Sequence, residues 1–146
     1  MERFWRGGAL DTESNVQFGE GGAGAFSDGK LNTGTKDVRH RFIMETLVRC
    51  GAPDAILTDA KPHVGTDKLH IALQELRREL TDSGADIRFG ARLEGITVEG
   101  GAARAVTVRQ HGQVCTLPAG QVILSLGHSA RDTFEMLHGA GLCMEQ

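Results

Sequence analysis

Tyrosine is absent from this sequence, tryptophan occurs once, and aromatic residues make up only 5% of its 146 positions. Charge of one sign is also lacking. A formal net charge of −3 and a pI near 6.0 leave no basic footprint for nucleic acid or for an acidic membrane surface. No apolar run reaches the ~18 residues of a membrane span, and the opening MERFWRGG has no apolar segment of the kind a signal peptide carries. Cys50, Cys115 and Cys143 are odd in number, far apart and without a C-x-x-C pair. That excludes a disulfide framework or zinc ribbon and fits a reducing cytosol. The cysteines read as small buried hydrophobes, and the protein as cytoplasmic. The six histidines form no H-E-x-x-H or similar ligand spacing, so no metal site is expected.

Glycine is what the chain has in excess, 20 residues in all. The stretch FGEGGAGAFSDGKL satisfies two nucleotide-binding patterns together: Gly19, Gly21 and Gly24 spell G-x-G-x-x-G, while Gly24, Gly29 and Lys30 spell most of a Walker A loop. A P-loop needs a hydroxyl after its lysine to hold magnesium, and Leu31 stands there instead. Both motifs also need a buried strand before the glycines and a helix after them. ESNVQF is a poor buried strand, and AFSDGKLNTG does not open a helix. Neither motif holds. A glycine-dense loop still lets backbone N–H groups approach a ligand closely, with Ser27 and Lys30 adding polar contacts.

Two parts of unlike character follow. Residues 1–35 form a long glycine-rich loop region, uncommon in a compact domain unless functional or disordered. Residues 36–146 carry clear periodicity. Val38, Phe42, Ile43 and Leu47 make a helical stripe that stops at Cys50-Gly51-Ala52-Pro53. A stronger helix follows Thr66, its expected N-cap, with Leu69, Ala72, Leu73, Leu76 and Leu80 on one face and Gly84 as terminator. Glu75, Arg77, Arg78 and Glu79 read as its solvated face. Beyond Gly84 the period becomes alternating. DIRFGARLEGITVEGG, ARAVTVRQHGQ and VCTLPAG read as strands joined by turns at Gly100-Gly101 and His111-Gly112. QVILSLG then reads as a strand buried on both faces. It turns at Gly127 into a helix capped by Ser129, with Ala130, Phe134 and Leu137 inward. The class is α/β, and Leu69, Leu73, Leu76, Val122, Leu124 and Phe134 are the expected core.

Motif context points to one further place. A glycine after a buried strand, followed by a capped helix, makes an anion-binding turn, and VILSLGHSARDTF has that form. An ordinary strand–helix connection has it too. His128 and Ser129 are adjacent and lack a surrounding G-x-S-x-G, so they are no catalytic pair. His63, in KPHVGTDKL, reads as a loop residue.

Taken together, ESNVQFGEGGAGAFSDGKLNTGTKD, AKPHVGTDKLH and VILSLGHSARDTFEML resemble the FAD-dependent, or NAD(FAD)-utilising, dehydrogenases with a glutathione-reductase-like FAD domain. The resemblance spans nearly the whole chain. It implies a partial Rossmann-like FAD-binding domain with a β-meander. The N-terminal β-α-β dinucleotide unit would be missing, so the sequence is expected to be an internal fragment, inactive alone. It also implies that Gly21, Gly22, Ala23, Phe26, Ser27, Asp28, Gly29, Lys30 and Leu31 face FAD. Leu93 would pass the adenine, and Gly127, His128 and Ser129 would lie beside the cofactor. Ala25 stands where threonine is expected, removing one polar contact. NAD(P)H is the implied electron donor and an unidentified small molecule the substrate. No catalytic residue is assigned; His63, Lys30 and His128 are candidates for tuning a flavin and equally for structural roles. A non-catalytic nucleotide-binding or interaction module on the same scaffold is the alternative.

Overall fold

A computed structural model describes residues 4, 6–9, 11, 13, 20–26, 29–31, 36–127 and 129–145. The chain divides into two compact units, Met1–Ile87 and Arg88–Gln146. Helices and one three-stranded antiparallel sheet make it a mixed α and β fold, compatible with α/β.

In the first unit, α1 (Arg39–Arg49) and α2 (Thr66–Asp82) flank a 3-10 turn at Asp54–Leu57, and a second 3-10 turn, Gly22–Phe26, packs on α2. Helix α1 ends as its sequence indicates: Cys50 is the C-cap, and Gly51 takes the left-handed φ of 107° that lets the chain leave the helix. At its start, the Asp37 carboxylate accepts the Arg39 backbone N–H at 2.8 Å and the Arg39 guanidinium at 2.6 and 2.8 Å. Those bonds, the guanidinium's first and the amide's second, hold the Asp37 carboxyl down at about 2.

Of the stripe expected on α1, Leu47 packs inward and the other three residues do not. Val38 is 90% exposed and Phe42 68% exposed, and Ile43 also faces solvent. Met44 and Val48 turn inward beside Leu47. The reason is geometric: a stripe read from spacing alone is free to slide around the helix, and the partner surface selects which residues are covered. Helix α2 agrees better. Leu69 and Ala72 are buried, and Leu73 and Leu76 pack against the same cluster, while Leu80 is exposed. Its N-cap is Gly65 rather than Thr66, with no side-chain cap bond; the chain enters at φ 80°, which glycine tolerates.

The solvated face expected on α2 also binds. Arg77 reaches Glu20 at 2.9 Å, and Glu79 accepts N–H groups from two guanidinium nitrogens of Arg49, Nη2 at 2.9 Å and Nε at 3.2 Å, tying α1 to α2. The core they surround consists of Ala25, Cys50, Ala52, Ile56, Val64, Leu69 and Ala72, and no large side chain in it is fully buried.

In the second unit, β1 (Ala91–Glu99), β2 (Ala102–Gln110) and β3 (Gln113–Pro118) form the meander in the order β1-β2-β3. The two hairpin turns fall where expected. Gly100 and Gly101 have φ of 59° and 78°, and His111 and Gly112 have 50° and 80°. Two successive positive φ values twist a two-residue turn to match the flanking strands. DIRF, expected to begin the first strand, lies just ahead of it, with the Gln110 side chain donating to the Phe89 carbonyl at 2.9 Å. Helix α3 (Arg131–Gly139) packs on β1, with Arg92 and Asp132 joined at 2.6 Å. Its inward residues are Ala130, Thr133 and Leu137; Phe134, expected among them, is 38% exposed. Its N-cap is Ala130, not Ser129.

The expected buried strand QVILSLG is the largest departure. Residues 121–127 pair with no strand among the described residues, Ile123 is 90% exposed and Leu124 37%. A strand persists only where neighbours accept its backbone groups, and no described segment does. Leu124 and Phe134 are therefore not core residues. Of the cysteines, Cys50 alone is fully buried, Cys115 is half-buried and Cys143 exposed; all three are free thiols.

Two measurements check this arrangement. Leu69→Ala is expected to cost about 2–5 kcal/mol in urea unfolding, as buried leucine truncations do. Phe42→Ala, on the exposed side of α1, should stay within about 0.5 kcal/mol. Separately, a carboxyl whose folded pKa is depressed contributes stability above its unfolded value and loses it as pH falls through the folded one. An NMR titration of Asp37 should therefore show a midpoint near 2. Order at the start of α1 should fade as pH drops from about 4 toward 2, and Asp37→Asn should abolish that dependence.

Candidate cofactor-facing site

The glycine loop is held down from three directions. Leu31 donates its backbone N–H to the Pro62 carbonyl at 3.0 Å, and Val64 donates to the Gly29 carbonyl at 3.0 Å, so Lys30 and His63 form an isolated antiparallel bridge. His63 thus serves the backbone pairing that fastens KPHVG to the loop. Gly29, with φ 67°, lies so close to Gly65 that a Cβ on it would stand 2.8 Å from the Gly65 nitrogen and 2.9 Å from its carbonyl carbon. A Cβ on Gly21, at φ 84°, would collide with Leu73 and approach Ala25 Cβ to 2.9 Å. Glycine is required at both positions by conformation and by space.

This packing sets the loop beside the first turn of α2. The initial N–H groups of a helix have no intrahelical acceptor, and the aligned peptide dipoles place partial positive charge there. Asp67 supplies a carboxylate to that turn. Gly22 differs from Gly21 and Gly29: it has φ 53°, yet a Cβ on it would meet nothing within 4 Å. The backbone there is open to approach from outside. Ala25 explains its own departure from the expected threonine, for it is 2% exposed and belongs to the core beneath the loop. A hydroxyl there would have no water.

The sequence-derived candidates are therefore sorted as follows. Gly21 is exposed and Gly22 half-buried, both against α2 or its flank, while Gly29 is buried against Gly65; Leu31 packs against the core and Lys30 is exposed. Ala23 and Phe26 have their backbones in the 3-10 turn Gly22–Phe26. Ser27, Asp28 and His128 lie outside the described residues. Leu93, Gly127 and Ser129 belong to the second unit. Leu93 pairs with Val108, and the ladder resumes at Gly95 opposite Thr107, leaving Glu94 as the extra residue of a bulge. Such a bulge frees one set of backbone groups beside Leu93. Arg109 clasps the Glu94 carboxylate at 2.5 and 3.1 Å and lowers its pKa. Gly127 has φ 67° and open space around its α-carbon, and the Ser129 carbonyl accepts the Arg131 N–H at 2.9 Å.

Sequence reasoning missed Gly65 and Glu20. The signal for Gly65 was its place immediately before an amphipathic run, where a helix-entry residue belongs. Nothing in sequence spacing links Glu20 to Arg77. The Cys50 thiol is pushed up by burial, and next by the neighbouring Glu79 carboxylate, 3.9 Å away, which makes it a poor nucleophile.

No family model matches the chain. It is 43% identical over 145 residues to an uncharacterised protein of Clostridium beijerinckii, a match covering 99% of this chain and 26% of that protein. The chain thus spans about a quarter of its relative's length. Among the described residues no helix is long and apolar enough to cross a membrane.

Gly29→Ala tests the loop's attachment. Its Cβ cannot fit against the Gly65 backbone, so the Leu31 and Val64 amides should lose hydrogen-exchange protection while β1–β3 keep theirs. The same change at Gly7, which also has positive φ but open space, should leave those amides protected.

Proposed function

We propose that this chain is part of the FAD-binding portion of a flavin-dependent oxidoreductase acting in the cytoplasm, with the glycine loop facing the cofactor. One observation carries the reading: a loop of left-handed glycines is pressed backbone-to-backbone against the entry of α2, with Gly22 open at its surface. Such a surface suits a pyrophosphate or a flat ring, because backbone N–H groups at glycines let a ligand approach closely. The residues fit that role. Gly21 and Gly22 offer backbone, and Lys30, exposed in the same glycine-rich segment, adds a cation. The resemblance to FAD-dependent dehydrogenases also assigns Leu93, Gly127 and Ser129 of the second unit to cofactor contact; taken by itself, that unit has a bulge at Glu94 and open space at the Gly127 α-carbon. In this reading the domain is Rossmann-like, and the bound flavin supplies the redox chemistry. NAD(P)H is the donor and a small molecule the substrate.

The reading is tested by flavin binding. The full-length Clostridium relative should purify yellow, with FAD released on denaturation; a colourless, folded protein that ignores added FAD would refute the proposal. The 146-residue chain alone should bind FAD weakly in a fluorescence titration. A strand–turn–helix unit of the dinucleotide type contributes charge-assisted hydrogen bonds of about 1.5–3 kcal/mol each. Losing two or three of them weakens binding by several orders of magnitude, at about tenfold per 1.4 kcal/mol. Lys30→Glu should weaken the remaining affinity by about tenfold or more, leaving the circular dichroism spectrum unchanged.

A further inference from the structure

The two edges of the meander are unlike. On β1 the ladder with β2 is irregular at Leu93/Gly95 and again at Thr97/Val98, the strand carries Arg92, Glu94 and Glu99, and α3 packs on it. Bulges, charges and a covering helix are the devices by which native sheets close an edge to further pairing. On β3 the register is unbroken, no residue is charged, and no named element other than β2 packs on it among the described residues. Its one proline, Pro118, is its last residue.

The hairpin fixes which backbone groups of β3 face outward. Gln110 and Gln113 close the two-residue turn, and hydrogen-bonded and non-hydrogen-bonded pairs alternate along an antiparallel ladder from such a closing pair. Gln113, Cys115 and Leu117 therefore bond to β2, and the N–H and C=O groups of Val114 and Thr116 point away from the sheet. The far end keeps the same phase, for the Ala119 N–H donates to the Arg104 carbonyl at 2.9 Å. Pro118, next in the outward series, has no N–H to offer. The outward donors of the strand thus sit symmetrically on either side of Cys115.

We propose that β3 pairs antiparallel with β3 of a second copy of this chain, about a two-fold axis at Cys115, joining two meanders into one continuous sheet. In this register Val114 of each copy exchanges both of its backbone bonds with Thr116 of the other, so every outward donor finds an acceptor. Symmetry and charge select the second copy as occupant. The strand is complementary to itself about Cys115, and its lack of charge removes the like-charge repulsion that self-pairing otherwise brings. Side chains agree with the backbone. By register Leu93, Ile96, Val106, Val108, Cys115 and Leu117 share one face of the sheet, and all are only half-buried. Pairing carries that apolar face across the axis, with Cys115 against its own copy. Because the β1 edge is blunted, assembly closes at a dimer and does not continue into a fibre. The inference goes beyond flavin binding and does not depend on it.

The test is the oligomeric state of the 146-residue chain, read together with hydrogen exchange. Sedimentation should show a concentration-dependent species of twice the 15.7 kDa chain mass. As it forms, the Val114 and Thr116 amides should slow by about tenfold or more. The amides of Gln113, Cys115 and Leu117, bonded within the hairpin, should stay protected at every concentration. In a chain carrying Cys143→Ser, with Cys50 buried, diamide takes up the two thiol hydrogens and should join Cys115 to its copy. Facing Cα atoms of a non-hydrogen-bonded pair stand about 4.5 Å apart, within the reach of a disulfide. Thr116→Pro removes an outward donor without breaking a bond of the hairpin, and Thr116→Lys places charge on the edge. Both should give monomers whose hairpin amides remain protected. A chain monomeric up to about 1 mM would overturn the proposal. So would a dimer in which the Val114 and Thr116 amides exchange freely, one whose Cys115 thiols diamide does not join, or one indifferent to both substitutions.

Discussion

The close approach of Gly29 to Gly65 is the contact on which the first unit depends. Two backbones meet there with no room for a Cβ between them, and the pairing on either side, Leu31 to Pro62 and Val64 to Gly29, follows from that approach. Because the loop is fixed at this point, Ala25 reaches the core and Gly21 lies against Leu73. Helix α2 is the common support: its buried face carries Leu69 and Ala72, and its outer face grips Glu20 through Arg77 and Arg49 through Glu79. A core built from alanines, a cysteine and a few branched side chains has little volume to spare. Such interiors tolerate added atoms poorly, so the close contacts and the small residues enforce each other.

The second unit is organised by local chemistry. Paired residues of positive φ close each hairpin, and the bulge at Glu94 re-aims the first strand beside the residue that the flavoprotein resemblance assigns to adenine. The Arg109–Glu94 clasp fixes the extra residue's side chain, and Arg92–Asp132 secures α3 to β1. These ion pairs are exposed and add modest stability in water. Their effect is to fix position.

The exposed Ile123 and Leu124 and the solvent-facing Val38 and Phe42 share a cause. Apolar character states that a residue gains by leaving water, at about 25 cal/mol per Å² of apolar surface. It does not state which surface receives the residue. Where the covering surface is absent from the described residues, the pattern persists without the burial.

By itself, the sequence determined the elements whose signals are local: the hairpin turns at Gly100-Gly101 and His111-Gly112, the stop of α1 at Gly51, and the inward residues Leu69 and Ala72 of α2. Each depends on the φ range of one or two residues or on spacing within one helix, so no distant partner is needed. Tertiary structure alone decided which face of α1 is covered, that Gly65 rather than Thr66 opens α2, that Glu20 meets Arg77, and that Gly29 and Gly65 touch. These are contacts between residues 36 to 57 positions apart, or choices made by a packing partner. Sequence periodicity carries no information about such distances, because it records how a residue relates to its neighbours along one element and not what stands across from it.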